Sequence, residues 1–333
     1  MPNVTLLDEH DIVALTSTPP SPRHSARVVN RRTREDATLS ADLVVDATGR
    51  AARTPTWLNG LGYDRPREDH VVVQLTYVSH LLRMKPDALH ELGFLVGIVP
   101  GRPHGLGLLH CENDFWMFTV FGVAGHEPPL DLSAMCEYVE DYAPAHMLAA
   151  VRAAEPVGEP TRHRQPSSQW RRYDKMRRFP KGLLVIGDAI CSFNPIYGQG
   201  MTVAALEALA LRDCLSGGTR DLARRFFRAA ASPIRQAWEL SANPDLSLPE
   251  IDGPPPLLTR LLNVYVDRVL AAAEYDTAAV NQFFRVTSLL DPATQLLRPA
   301  IMWRAALANQ RRRLHGIDQP DSAADILTES VAG

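Results

Sequence analysis

Two short runs of branched apolar residues constrain this chain most: Leu43-Val44-Val45, and Leu183-Leu184-Val185-Ile186. Each is continuous rather than alternating, which suits a strand buried on both faces of a parallel sheet. The first stops at Asp46-Ala47-Thr48-Gly49 and the second at Gly187-Asp188. In open α/β sheets ligands sit beyond the carboxyl ends of the strands, and both runs put polar residues and glycine at that edge.

The segment between them has another character. HVVVQLTYVSHLL (from His70), FLVGIVPG, LGLLHC and FWMFTVFGV are four β-type runs, with Glu112-Asn113-Asp114 placed to close a hairpin between the last two. They predict an antiparallel sheet. Residues 131–154 read as helical with a break at Pro144, and residues 1–50 as β-rich with a Pro/Ser loop, STPPSPRHS. From residue 220 the chain reads as helices reaching Arg313, broken at Pro254-Pro255-Pro256, with a frayed tail from Asp321.

Composition removes several function classes. A formal net charge of −3 gives no basic field for nucleic acid. The four cysteines form no C-x-x-C pair and read as reduced thiols of a cytoplasmic protein, not as a disulfide frame or metal site. The longest charge-free stretch, Ala189–Leu206, holds Asn194, Pro195, Gly198, Gln199 and Gly200, which no transmembrane segment tolerates together. No H-E-x-x-H or Ser/His/Asp pattern appears, so no catalytic residue and no metal ligand is assigned. Residues 162–181 carry Arg171, Arg172, Lys175, Arg177, Arg178 and Lys181; a phosphate-binding patch and a solvated connection are both open, the second favoured.

The informative stretch is GDAICSFNPIYGQGM, residues 187–201, which joins the second buried run to a helix expected at Met201–Leu215. Gly187 permits close approach to the backbone. Asp188 presents a carboxylate that can accept hydrogen bonds from sugar or polyol hydroxyls, or cap a helix. Pro195 fixes the path of the loop, while Gly198 and Gly200 remove side chains where the backbone would lie against something flat. The helix then offers free N–H groups and the positive end of its dipole to a group that gains negative charge.

These residues carry a resemblance. GLLVIGDAICSFNPIYGQGMTVAALEA resembles the second flavin-contacting motif of the FAD-dependent monooxygenase (aromatic hydroxylase and epoxidase) superfamily. ADLVVDATGRAARTPTWL is similar to the strand and Ala-Thr-Gly turn that lie beside the cofactor in that family. The resemblance implies that Asp188 holds the ribityl chain or a nearby hydroxyl of FAD. It places Pro195, Gly198, Gln199 and Gly200 along the isoalloxazine, the N–H groups of Gly200 and Met201 at its pyrimidine edge, and Gly49 near the adenosine. Gly187 would belong to the same turn. The chain departs from the family at Ile190-Cys191, where Ala-His is frequent, and at Met201-Thr202, where an Asn is frequent.

The implied fold is α/β: an incomplete FAD-binding Rossmann-like parallel sheet, an antiparallel β substrate domain and C-terminal helices. The implied division is residues 1–67 and 166–245 for FAD, 68–165 for substrate, and 246–333 helical. Tyr77, Phe94, Trp116 and Phe118 are candidates for the substrate wall, with plain sheet core as the competing role. The implied activity is a monooxygenase in which NAD(P)H reduces FAD, and O2 supplies an oxygen to a small hydrophobic substrate. A flavin-dependent reductase or dehydrogenase of an isoprenoid-like lipid, and a non-catalytic fragment, are the alternatives. The family opens with a strand–G-x-G-x-x-G–helix unit for the FAD pyrophosphate, and no such motif precedes Asp42. The expectation is therefore that this unit is encoded upstream, supplied by a separate chain, or lost.

Overall fold

A computed structural model describes residues 2–17, 24–251, 257–273 and 276–314. The strands are β1 (His10–Ser17), β2 (His24–Asn30), β3 (Asp36–Ala41), β4 (Val44–Asp46), β5 (Glu68–Arg83), β6 (Gly93–Val96), β7 (His104–His110), β8 (Phe115–Gly122), β9 (Glu155–Arg171), β10 (Leu183–Val185) and β11 (Cys191–Ser192). The helices are α1 (Thr54–Gly60), α2 (Leu132–Tyr138), α3 (Ala145–Ala153), α4 (Gly200–Ser216), α5 (Leu222–Asp245), α6 (Leu257–Ala273), α7 (Thr277–Thr287) and α8 (Pro299–Leu314). The chain divides into two compact units: residues 1–70 with 169–235, and residues 71–168 with 236–333.

In the first unit the two apolar runs meet. β4 and β10 pair in parallel, Val44 opposite Leu183 and Asp46 opposite Val185. The side chains of Leu183, Leu184 and Val185 are fully buried, as a continuous apolar strand requires. β1, β2 and β3 form a separate antiparallel meander. The Pro/Ser loop between β1 and β2 falls largely on residues outside the described ones. In the same unit Tyr173 stacks on Phe227 at 5.3 Å, and Phe179 meets the same ring edge-on at 5.0 Å.

The second unit contains the expected antiparallel sheet, in the order β9-β5-β8-β7-β6. Period-two alternation sends Val78, Leu82, Leu106, Leu108, Trp116, Phe118 and Val120 into one core with Met135, Met147, Leu148 and Val151 from α2 and α3. The helical break expected at Pro144 separates those two helices. Asp131 caps α2 by accepting the Ala134 N–H at 3.1 Å. Asp131→Ala should lower stability by about 1 kcal/mol, read as a shifted urea midpoint at unchanged m-value. Further on, Val269, Ala272, Ala279, Val286, Leu296 and Ala305 build a second core among α6, α7 and α8. The Pro254–Pro256 break and the tail from Asp321 lie outside the described residues. Among the described residues no helix is long and apolar enough to cross a membrane.

Candidate cofactor site

The carboxyl ends of β4 and β10 open into two tight turns that pack side by side, residues 49–51 and 187–189. Asp46 shapes the first turn. Its buried carboxylate accepts the Thr48 N–H at 2.9 Å, the Thr48 hydroxyl at 2.6 Å, and the Thr54 hydroxyl. Gly49 then turns the chain at φ +77°, a backbone conformation that costs any L side chain strain. Gly187 does the same in the second turn at φ +67°, its α-carbon facing Ala204 of α4.

Asp188 projects from the second turn with its side chain open to solvent, and one carboxylate oxygen lies beside Gly200 at the start of α4. Protein crowded around that carboxylate pushes its pKa up, while the Arg50 guanidinium pulls it back. Arg50 donates to the Ser192 hydroxyl at 3.3 Å; burial and the neighbouring Arg171 lower its pKa, and Asp188 opposes them. Beyond β11, Asn194 accepts the Ile196 N–H at 3.2 Å and starts a short turn over Pro195–Tyr197. Gly198 closes it in the left-handed region at φ +68°. The residue at the N-cap of α4, Gln199, makes no side-chain capping bond, and the helix begins at Gly200 beside Asp188.

The sequence-predicted residues fall into two groups. Gly49, Gly187, Asp188, Pro195, Gly198, Gln199, Gly200 and Met201 all lie in the first unit. Among them Asp188, Pro195, Gly198 and Met201 are exposed and Gln199 is buried. Among the described residues, apart from each glycine and its chain neighbours, no atom lies within 4 Å of where a Cβ at Gly49 or Gly198 would stand, so a flat group could lie against the backbone there. The four aromatic candidates belong to the second unit. Trp116 and Phe118 are buried in the core that β8 forms with α2 and α3, which is the packing role set against a substrate wall. Phe94 is half-buried against the same core and meets His146 edge-on at 5.5 Å. Tyr77 points to the opposite face and stacks on His163 at 5.2 Å.

Two site residues escaped the sequence reading. The basic run 162–181 is not a solvated connection at its centre: β9 ends in a buried arginine. Arg171 donates to the Ala189 carbonyl at 3.0 Å, the Arg50 carbonyl at 2.8 Å and Glu68 Oε1 at 3.3 Å, so one guanidinium fastens both turns. Arg172 pairs with Asp69 and Asp174 and lies over the Trp170 ring at 3.8 Å. Glu207 of α4 is fully buried, and its Oε2 accepts the Gly187 N–H at 2.6 Å. Burial raises its pKa to about 8; the Gly187 bond lowers it and Asp188 raises it further. Among the described residues no cluster of His, Cys, Asp and Glu is arranged to hold a metal ion.

No protein-family model matches the chain. Over 278 residues it is 39% identical to Protein Rv3254 of Mycobacterium tuberculosis, an alignment covering 82% of this chain and 59% of that protein. Several solved structures share its architecture. OxyS anhydrotetracycline hydroxylase from Streptomyces rimosus superposes with a TM-score of 0.55 at 14% identity, over 87% of this chain and 53% of that one. The flavin-dependent brominase Bmp2 gives a TM-score of 0.60 at 13% identity, over 91% and 70%. For p-nitrophenol 4-monooxygenase PnpA from Pseudomonas putida DLL-E4 the values are 0.52 and 12%, over 93% and 67%. By these superpositions the chain has the fold seen in FAD-dependent monooxygenases and halogenases.

Proposed function

We propose that the chain is the greater part of an FAD-dependent monooxygenase that draws electrons from NAD(P)H and hydroxylates or epoxidises a small hydrophobic substrate. The observation that carries this is the placing of the Asp188 carboxylate beside Gly200, at the start of α4 and at the carboxyl edge of a parallel strand pair. The residues present fit a flavin. Asp188 would accept from the ribityl hydroxyls. The open backbone at Gly198 would lie against the ring, with Pro195 and Gln199 fixing the loop. The N–H groups of Gly200 and Met201 would face the pyrimidine edge, where a dipole contributes roughly 0.3–1 kcal/mol toward negative charge. Gly49 would lie near the adenosine. A bound flavin would supply the redox and oxygen chemistry, and this chain would supply orientation.

The substrate reading rests on the second unit's sheet. Tyr77 and Phe121 are cross-strand partners on the face opposite the core, and so are Ser79 and Thr119, whose hydroxyls meet at 2.8 Å. Gly105 and Gly107 are their neighbours on β7, and the Phe121 ring lies over Gly105 in the space a side chain there would take. An apolar molecule bearing one oxygen suits such a floor. We assign residues 1–67 and 166–245 to the cofactor and 68–165 to the substrate, in a cytoplasmic enzyme. The test is reconstitution of the purified chain with FAD. Flavin absorbance that survives gel filtration, and O2-dependent NAD(P)H consumption yielding product with one added oxygen atom, support the reading. A colourless protein after reconstitution overturns it for this chain alone.

A further inference from the structure

Glu207 stands on the buried stripe of α4, one turn beyond Val203, and none of its surface reaches solvent. A carboxyl is costly there unless it is neutral or fully bonded. One oxygen is bonded, Oε2 to the Gly187 N–H. The other, Oε1, has no hydrogen-bond partner. The titratable groups facing it from the packed elements are Asp188 in the adjoining turn and Cys191 in β11, and neither supplies a positive charge. A proton on Oε1 removes the buried charge while Oε2 keeps the amide bond.

We propose that Glu207 is a positioning residue, a protonated strut between α4 and the Gly187–Asp188 turn that sets the direction of the Asp188 carboxylate. Gly187 turns the chain at φ +67° beside Ala204 of α4, and its peptide N–H is the group that Glu207 grips. Losing the proton leaves a carboxylate beside the Asp188 charge and pushes the turn away from α4. Glutamine keeps the acceptor for Gly187 and stays neutral at every pH; leucine fills the space but cannot accept.

The inference about the ligand rests on the flavin reading, so the experiment has two arms on the full chain. In the first, FAD binding is followed by fluorescence quenching from pH 6 to 9. Wild type should weaken by about fivefold between pH 8 and 9, the slope steepening toward one decade per unit well above the carboxyl's pKa. Glu207→Gln should bind within about threefold of wild type at pH 6.5 and show no such slope, whereas Glu207→Leu should bind at least about tenfold more weakly at every pH. The second arm needs no ligand: the melting temperature of the free protein is measured over the same range. The folded pKa lies above the unfolded one, so this stabilisation is complete below about pH 4.5 and drains away as pH rises toward 8. Wild type should therefore lose more melting temperature than Glu207→Gln between pH 6 and 8. If FAD binds none of the proteins but the melting curves diverge as stated, the flavin reading falls and the protonated strut stands. Parallel pH slopes in wild type and Glu207→Gln, or equal FAD affinity in the glutamine and leucine variants, overturn the proposal.

Discussion

Replacing Arg171 with leucine is expected to lower stability by about 3 kcal/mol and to weaken cofactor binding together with it. Arg171 is 7% exposed, and its guanidinium satisfies two backbone carbonyls as well as Glu68. Each buried acceptor stripped of its donor costs roughly 1–3 kcal/mol, and leucine supplies no donor at all. Water reaching Glu68, whose side chain is 31% exposed, softens the loss there. Arg171→Lys should recover less than half, because a single ammonium cannot reach three acceptors spread as a fork. Urea denaturation checks both variants. A leucine variant within 0.5 kcal/mol of wild type would mean that the two turns hold together without the arginine.

Asp188→Ala separates function from folding. The side chain is exposed, and its carboxylate, if anything, suffers from its surroundings, so stability should stay within about 0.5 kcal/mol of wild type. FAD affinity should nevertheless fall by roughly 10- to 100-fold, the worth of one or two hydrogen bonds to a charged acceptor. Fluorescence titration at pH 7 gives the affinity and thermal melting gives the stability. Unchanged affinity would remove Asp188 from the cofactor site. A parallel loss of stability would make it a folding residue instead.

What the sequence made legible is what local chemistry dictates. The apolar runs at Leu43 and Leu183, the glycines with positive φ at 49, 187 and 198, and the exposed Asp188 all follow from neighbouring residues. Arg171 was illegible for the opposite reason. Two of its three partners are 103 and 121 positions away in the chain, and it ends a strand that carries Pro156, Pro160 and Pro166. Prolines argue against a central strand, but along residues 155–168 β9 has β5 on one side only, since β11 pairs just with Gln169 and Trp170. The run therefore read as a connection. Glu207 did leave a signal, a charge four residues from Val203 on an otherwise apolar helical stripe. Trp116 and Phe118 show the limit of composition. Aromatic residues at strand spacing mark a face of the sheet, and only the helices placed against it decide which face is core.

The parallel pairing of β4 with β10 also has a consequence for synthesis on the ribosome. Every strand that completes the candidate site follows residues 71–168, so those residues must be made before it can close. At about 5–20 residues per second, that insertion alone imposes a delay on the order of ten seconds. Through that interval Leu43–Val45 emerges as an apolar strand with no neighbour, the kind of segment that chaperones hold and that aggregates when they do not. The second unit's sheet, whose hairpins pair near neighbours, can fold in the meantime. Expression yield in a chaperone-depleted host should therefore be limited by this waiting strand, and a solubilising substitution at the partly exposed Val45 should raise it.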